Sequence, residues 1–206
     1  MDDRKRHEAE CVKGVSALAS PRRTASLYPL SEFYLKAGLS VPTATAISPD
    51  ELPEPYRRFL AHSEYMTPTL EGAFHQKLRL QVISHCLRDN LLLRQVLLTL
   101  DDPGVAVELG AIAIYLEEFP KRIQELIFAG TEPMGTILRL AGFDGTCNPL
   151  AYFALPADDF LLKLLPMTHP PGQLYGRRTV LKGSSGRPAA DVVEILPALE
   201  SLLSKR

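Results

Sequence analysis

The stretch Leu174-Tyr175-Gly176-Arg177-Arg178-Thr179-Val180-Leu181-Lys182-Gly183-Ser184-Ser185-Gly186-Arg187-Pro188-Ala189-Ala190-Asp191-Val192-Val193-Glu194-Ile195-Leu196-Pro197 decides the fold. Two β-type runs flank a Gly/Ser-rich turn, which is the sequence form of a hairpin. Along the second run, Ala190, Val192, Glu194 and Leu196 share a parity and therefore a face. Three of the four are apolar, so a carboxylate points toward a core. An ionised carboxylate in such a place is costly without a partner or a function.

Upstream lie three more β-like runs, Leu78–Leu87, Leu91–Leu100 and Val105–Leu116. Asp89-Asn90 links the first two, and Asp101-Asp102-Pro103-Gly104 links the second two. Such short links join antiparallel neighbours, so the runs predict a β-meander. Glu117 to Gly130 has helical spacing, with Phe119, Ile123, Leu126 and Ile127 on one side and Gly130 as its stop. Thr131 to Gly142 reads as a second short helix. Thr67-Pro68-Thr69-Leu70-Glu71 reads as a helix start, with Thr67 as N-cap. A further strand is expected at Tyr152–Leu155 and an apolar stretch at Phe160–Leu165. Strands in runs with helices inserted predict an α+β fold with a single antiparallel sheet of about six strands. Residues 1–25 are expected to form a flexible N-terminal arm, and residues 26–206 one domain.

The composition sets bounds. The chain has 206 residues, net charge −1 and no long basic block, so neither nucleic acid nor an anionic membrane is an expected partner. Cys11, Cys86 and Cys147 are widely spaced and odd in number, which suggests reduced thiols and a cytoplasmic setting rather than a disulfide frame. No His/Cys cluster has metal-ligand spacing, and no P-loop, GxSxG or dinucleotide pattern is present. No metal and no cofactor is expected. Near-neutral charge and the lack of a coiled-coil seam make a monomer the expected state.

Three features stand out as chemistry. Arg94 lies mid-strand among Leu92, Val96, Leu98 and Leu100, where a guanidinium needs an anion. It either pairs with Glu194, reaches an edge along its aliphatic stem, or holds a ligand carboxylate while Glu194 meets the ligand's other end. Pro133-Met134-Gly135 opens a helix whose free N–H groups can receive an anion, although most helix starts bind only water. Arg177 and Arg178 point to opposite faces, so one of them can add positive charge to a cavity. Met66, just ahead of a helix start, is by itself a core or lid methionine.

Together these residues resemble the chorismate lyase (chorismate–pyruvate lyase, 4-hydroxybenzoate synthase) family from about Leu52 to Pro197. The blocks that carry the resemblance are His62-Ser63-Glu64-Tyr65-Met66-Thr67, Leu93-Arg94-Gln95-Val96-Leu97-Leu98, Pro133-Met134-Gly135, Tyr175-Gly176-Arg177-Arg178-Thr179, and Gly186-Arg187-Pro188 through Glu194-Ile195-Leu196-Pro197. The resemblance implies a chorismate lyase-like domain with helical lids, Met66–Gln76 and Pro133–Gly142, over an enclosed cavity. It implies a cofactor-independent carbon–oxygen lyase that eliminates pyruvate from chorismate to form 4-hydroxybenzoate. Arg94 and Glu194 would be catalytic. Met66, Met134 and Gly135 would bind substrate beside them, and Arg177 or Arg178 would contribute secondarily. Orientation of a bound substrate can be worth about 7–11 kcal/mol of barrier. The family's best-known branch carries a second arginine in the third meander strand, where Ala111 looks like the matching position here. The alternative on the same fold is a non-catalytic binder of small aromatic carboxylates.

Overall fold

A computed structural model describes residues 23–101, 104–167 and 169–199. Of the expected arm, residues 1–22 lie outside the described residues, as do Asp102 and Pro103 of the second meander turn. Arg23 to Ala25 are described, and Thr24–Ala25 belong to the sheet rather than to an arm.

In chain order the elements are β1 (Thr24–Ala25), α1 (Leu30–Lys36), β2 (Ala44–Ile47), α2 (Tyr56–Leu60), α3 (Met66–Phe74), β3 (Leu78–Arg88), β4 (Leu91–Leu100) and β5 (Ala106–Tyr115). There follow α4 (Lys121–Ala129), α5 (Met134–Leu140), β6 (Gly145–Pro156), α6 (Asp159–Leu164), β7 (Gln173–Gly183) and β8 (Pro188–Leu196). The strands form one antiparallel sheet in the order β1-β2-β6-β7-β8-β5-β4-β3. The architecture is α+β and chorismate lyase-like. It has eight strands where about six are expected, because β1 and β2 are two and four residues long and too short to show a period. The apolar stretch at Phe160–Leu165 is α6, capped by the Asp158 carboxylate, which accepts from the Leu161 N–H.

The sheet is covered on both faces. Leu93, Leu97, Leu109, Ala111, Ala113, Val193 and Ile195 pack with α1 and α6 on one side. Leu92, Val96, Ile112, Ile114, Ala190 and Leu181 pack with α4 and α5 on the other. There α2 and α3 extend the cover over Leu78, Leu98, Leu100 and Leu196. Central strands buried on both faces are continuous apolar runs, which is why β4 reads Leu-Leu-Leu-Arg-Gln-Val-Leu-Leu.

The start of α3 differs from expectation. Its N-cap is Tyr65, and Thr67 is the second helical residue, buried and not a cap. The Thr69 hydroxyl donates to the Tyr65 carbonyl, and Gly135 crowds Thr67: a Cβ at Gly135 would lie 3.2 Å from both Thr67 Oγ1 and Tyr65 Cβ. The glycine thus lets the first turns of α3 and α5 approach, and Met66 becomes part of the helix.

Candidate functional site

Arg94, Val96 and Glu194 lie on the same face of the sheet. Arg94 pairs with Ile112 on β5, and Ile112 pairs with Val192 on β8; Glu194 is two residues further along, opposite Gly110. Two strand spacings of ~4.8 Å put the β4 and β8 backbones about 10 Å apart, before the offset along the strands. The side chains then diverge. Glu194 lines one cavity and Arg94 another.

The Glu194 cavity encloses about 70 Å³, lined by Tyr65, Met66, Met134, Gly135 and Leu138 from the helical side. Glu108, Ile112, Cys147, Thr179, Leu181, Ala190 and Val192 line it from the sheet. Glu194 is already paired: its Oε2 accepts from Arg177 Nε, and Thr179 Oγ1 lies 3.5 Å away. Arg177 is fully buried, and its other nitrogens are engaged too. Nη1 donates to the carbonyls of Leu60 (3.1 Å) and His62 (2.8 Å), and Nη2 to that of Glu64 (3.1 Å). The guanidinium therefore ties the end of α2 to the sheet as well as neutralising Glu194. His62 Nδ1 lies 3.3 Å from Arg177 Nη1; burial and then the Arg177 charge hold this imidazole below its ordinary pKa.

Glu108 is the second carboxyl of this cavity. It is 4% exposed, and its Oε2 is buried with no hydrogen-bond partner. Burial, then the nearby Glu194 charge, push its pKa well up against a smaller opposing pull from Arg177. Cys147 shares the wall, and burial followed by Glu194 pushes its thiol up to about 11. It is a poor nucleophile at neutral pH.

The Arg94 pocket is larger, about 390 Å³, and lies under the end of α4. Its walls are Val82, Leu87, Leu92, Ile127, Phe128 and Ala129, with His85 directly opposite Arg94 across the β3–β4 pair. Arg94 is 2% exposed. Its Nη1 donates to the Ile127 carbonyl at 3.0 Å, satisfying an end of α4, which Gly130 terminates with φ +62°. Its Nε and Nη2 are buried without a partner. Burial alone pulls the guanidinium down to about 10, so it stays charged at neutral pH with no carboxylate beside it among the described residues.

The arrangement separates the expected site residues. Met66, Met134, Gly135 and Glu194 share a cavity, with Arg177 behind it, while Arg94 is elsewhere. Arg178 faces the opposite side of the sheet and is held by both oxygens of Asp191, at 2.9 and 2.5 Å. Ala111 also faces away, into the α1/α6 core, so the cavity-side residues of β5 are Glu108, Gly110 and Ile112. Glu108 was detectable in the sequence, since it shares strand parity with Ile112. Among the described residues no three His, Cys, Asp or Glu side chains come together to hold a metal ion, and no helix is long and apolar enough to cross a membrane.

No protein-family model and no curated protein sequence matches the chain. Solved structures are similar in fold. The effector domain of PhnF from Mycobacterium smegmatis matches at 13% identity over 66% of this chain and 90% of that one, with a TM-score of 0.49. A structure of PhnF from the same organism matches at 11% identity over 82% and 93%, with a TM-score of 0.47. The possible transcriptional regulator YydK from Bacillus subtilis subsp. subtilis str. 168 matches at 8% identity and a TM-score of 0.45; the chain spans 57% of its length. The five named matches include a possible transcriptional regulator, an effector domain and the C-terminal domain of a histidine utilization repressor, and none of the five is named as a lyase. The expected chorismate lyase activity, with its place in aromatic biosynthesis, is corrected on that finding. In the structure the arginine and the glutamate that were to grip one substrate line separate pockets, and the glutamate pairs with Arg177.

Proposed function

We propose that the chain binds a small organic carboxylate with an apolar body in the Arg94 pocket and does not transform it. The observation that carries this reading is the pair of buried, unpartnered N–H-bearing nitrogens on Arg94, Nε and Nη2. These form one edge of the guanidinium, the edge that fits a carboxylate in bidentate fashion. A buried cation without a counter-charge is costly, and an anionic ligand removes that cost. Each charge-assisted hydrogen bond is worth about 1.5–3 kcal/mol. The volume, about 390 Å³, falls within the usual range for small-molecule sites, and the walls are apolar. Binding without turnover is supported by the ionisable groups at hand. Glu194, which an elimination would have used, lies in the other cavity, and the pocket's remaining ionisable side chain among the described residues is His85.

Thermal unfolding in the presence of benzoate, cyclohexanecarboxylate and neutral benzamide tests the reading. The two acids should raise Tm and benzamide should not. Arg94→Met should remove the acid-dependent rise while leaving a folded protein. Equal shifts with benzamide, or a benzoate shift that survives in Arg94→Met, would refute it.

A further inference from the structure

We infer that the Glu108–Glu194 cavity is a second binding site, independent of the Arg94 pocket, for a small primary ammonium group. The charge balance points there. Two carboxyls face this cavity and one guanidinium serves them. Arg177 spends its hydrogen bonds on Glu194 and on the carbonyls of Leu60, His62 and Glu64. A ligand carboxylate would meet two acids and no available cation. A ligand cation would complete two pairs, Arg177 with Glu194 and itself with Glu108.

The acceptors suit an ammonium. Glu108 Oε2 is buried and unpartnered, and Glu194 Oε1 accepts no hydrogen bond among the described residues. Thr179 Oγ1 lies beside them and has a free lone pair. Glu108 and Glu194 are diagonal neighbours across the β5–β8 pair, Glu194 being opposite Gly110, so their long side chains converge. Three acceptors on one side match the three donors of R–NH₃⁺. Ile112, Leu138, Leu181 and Val192 offer apolar contact to a short carbon stub. A cavity of about 70 Å³ exceeds the ~10–15 Å³ that one buried water needs, so it admits a small ammonium head group.

The site also carries a proton signature. Burial and the Glu194 charge push the Glu108 pKa up, and an ammonium beside it favours the ionised carboxylate, so binding R–NH₃⁺ favours proton release to solvent, whereas a neutral amine would take up a proton itself. The charged and titratable groups that face Glu108 are Glu194 on β8, Arg177 on β7, Cys147 on β6 and Tyr65 before α3.

The experiment titrates the full chain with methylammonium chloride by thermal unfolding and by calorimetry in two buffers of different ionisation enthalpy at neutral pH. Sodium acetate, tetramethylammonium chloride and potassium chloride are the controls. Methylammonium alone should raise Tm with net proton release, and Glu108→Leu should abolish both. Arg94→Met should keep the methylammonium response and lose the benzoate response, while Glu108→Leu should do the reverse, so failure at one pocket is told apart from failure at the other. A shift that survives in Glu108→Leu, an equal shift with potassium or acetate, or no shift with methylammonium (Glu108 then being satisfied by trapped water) would overturn the inference.

Discussion

Arg94 and Arg177 are both buried arginines on the same face of the same sheet, and they lead opposite lives. Every nitrogen of Arg177 is engaged: one carboxylate and three backbone carbonyls accept from it. Arg94 has a single carbonyl; it lines a pocket, and its Nε and Nη2 are buried with nothing bonded to them among the described residues. Burial alone does not distinguish them, at 0% and 2% exposed. The partners do. A guanidinium with a bond at every nitrogen is part of the scaffold; one with buried nitrogens left unbonded is a place where a ligand anion gains energy.

Replacing each arginine by methionine is the sharpest way to break this contrast. Arg177→Met strands Glu194 as an uncompensated buried charge and frees the end of α2, so it should lose about 3–5 kcal/mol in denaturant unfolding. Arg94→Met removes a cation with no counter-charge and one hydrogen bond, so its stability should stay within about 1 kcal/mol of the parent. Equal losses for the two variants would erase the distinction.

Glu108 sharpens it from the acid side. Glu108→Leu removes a buried, unpartnered carboxyl and should stabilise the protein by about 1–3 kcal/mol. The pH dependence follows from its raised pKa. Between the unfolded and folded pKa values the folded state holds a proton that the unfolded state has lost. Stability therefore falls as pH rises above the ordinary carboxylate range, by up to about 1.4 kcal/mol per pH unit, and levels off above the folded pKa. Subtracting the Glu108→Gln profile from the parent profile isolates this slope; a flat difference from pH 4 upward would show an unshifted carboxyl. The smallest effect concerns Cys147. With its thiol near 11, Cys147 has a thiolate fraction at neutral pH about three-hundredfold below that of a free thiol, whose pKa is about 8.5, and alkylation by iodoacetamide should be slowed accordingly.

Much of the fold was legible because local signals agree with it. The closing hairpin, the meander and the helix that ends at Gly130 each carry a period and a stop, and each forms, although the helix starts at Lys121 rather than Glu117, with Phe119 ahead of it and Leu126 exposed. The parity of the last strand placed Glu194 with Ala190 and Val192, and all three line one cavity. Legibility ended where one residue of register matters. A bulge between Leu181 and Lys182 sets Arg177 opposite Glu194; continuing the pairing of Lys182 with Pro188 without it would have placed Val193 there. A slip of one residue turns every side chain to the other face.

The amino-acid sequence by itself determined the strands, the helices and the presence of charges inside an apolar sheet, because these follow from period, composition and chain stops. Only the tertiary structure decided which charges meet. Arg177 took Glu194, Arg178 took Asp191, and Arg94 was left facing its own pocket, because ion pairing depends on register, bulges and side-chain reach across strands distant in the chain.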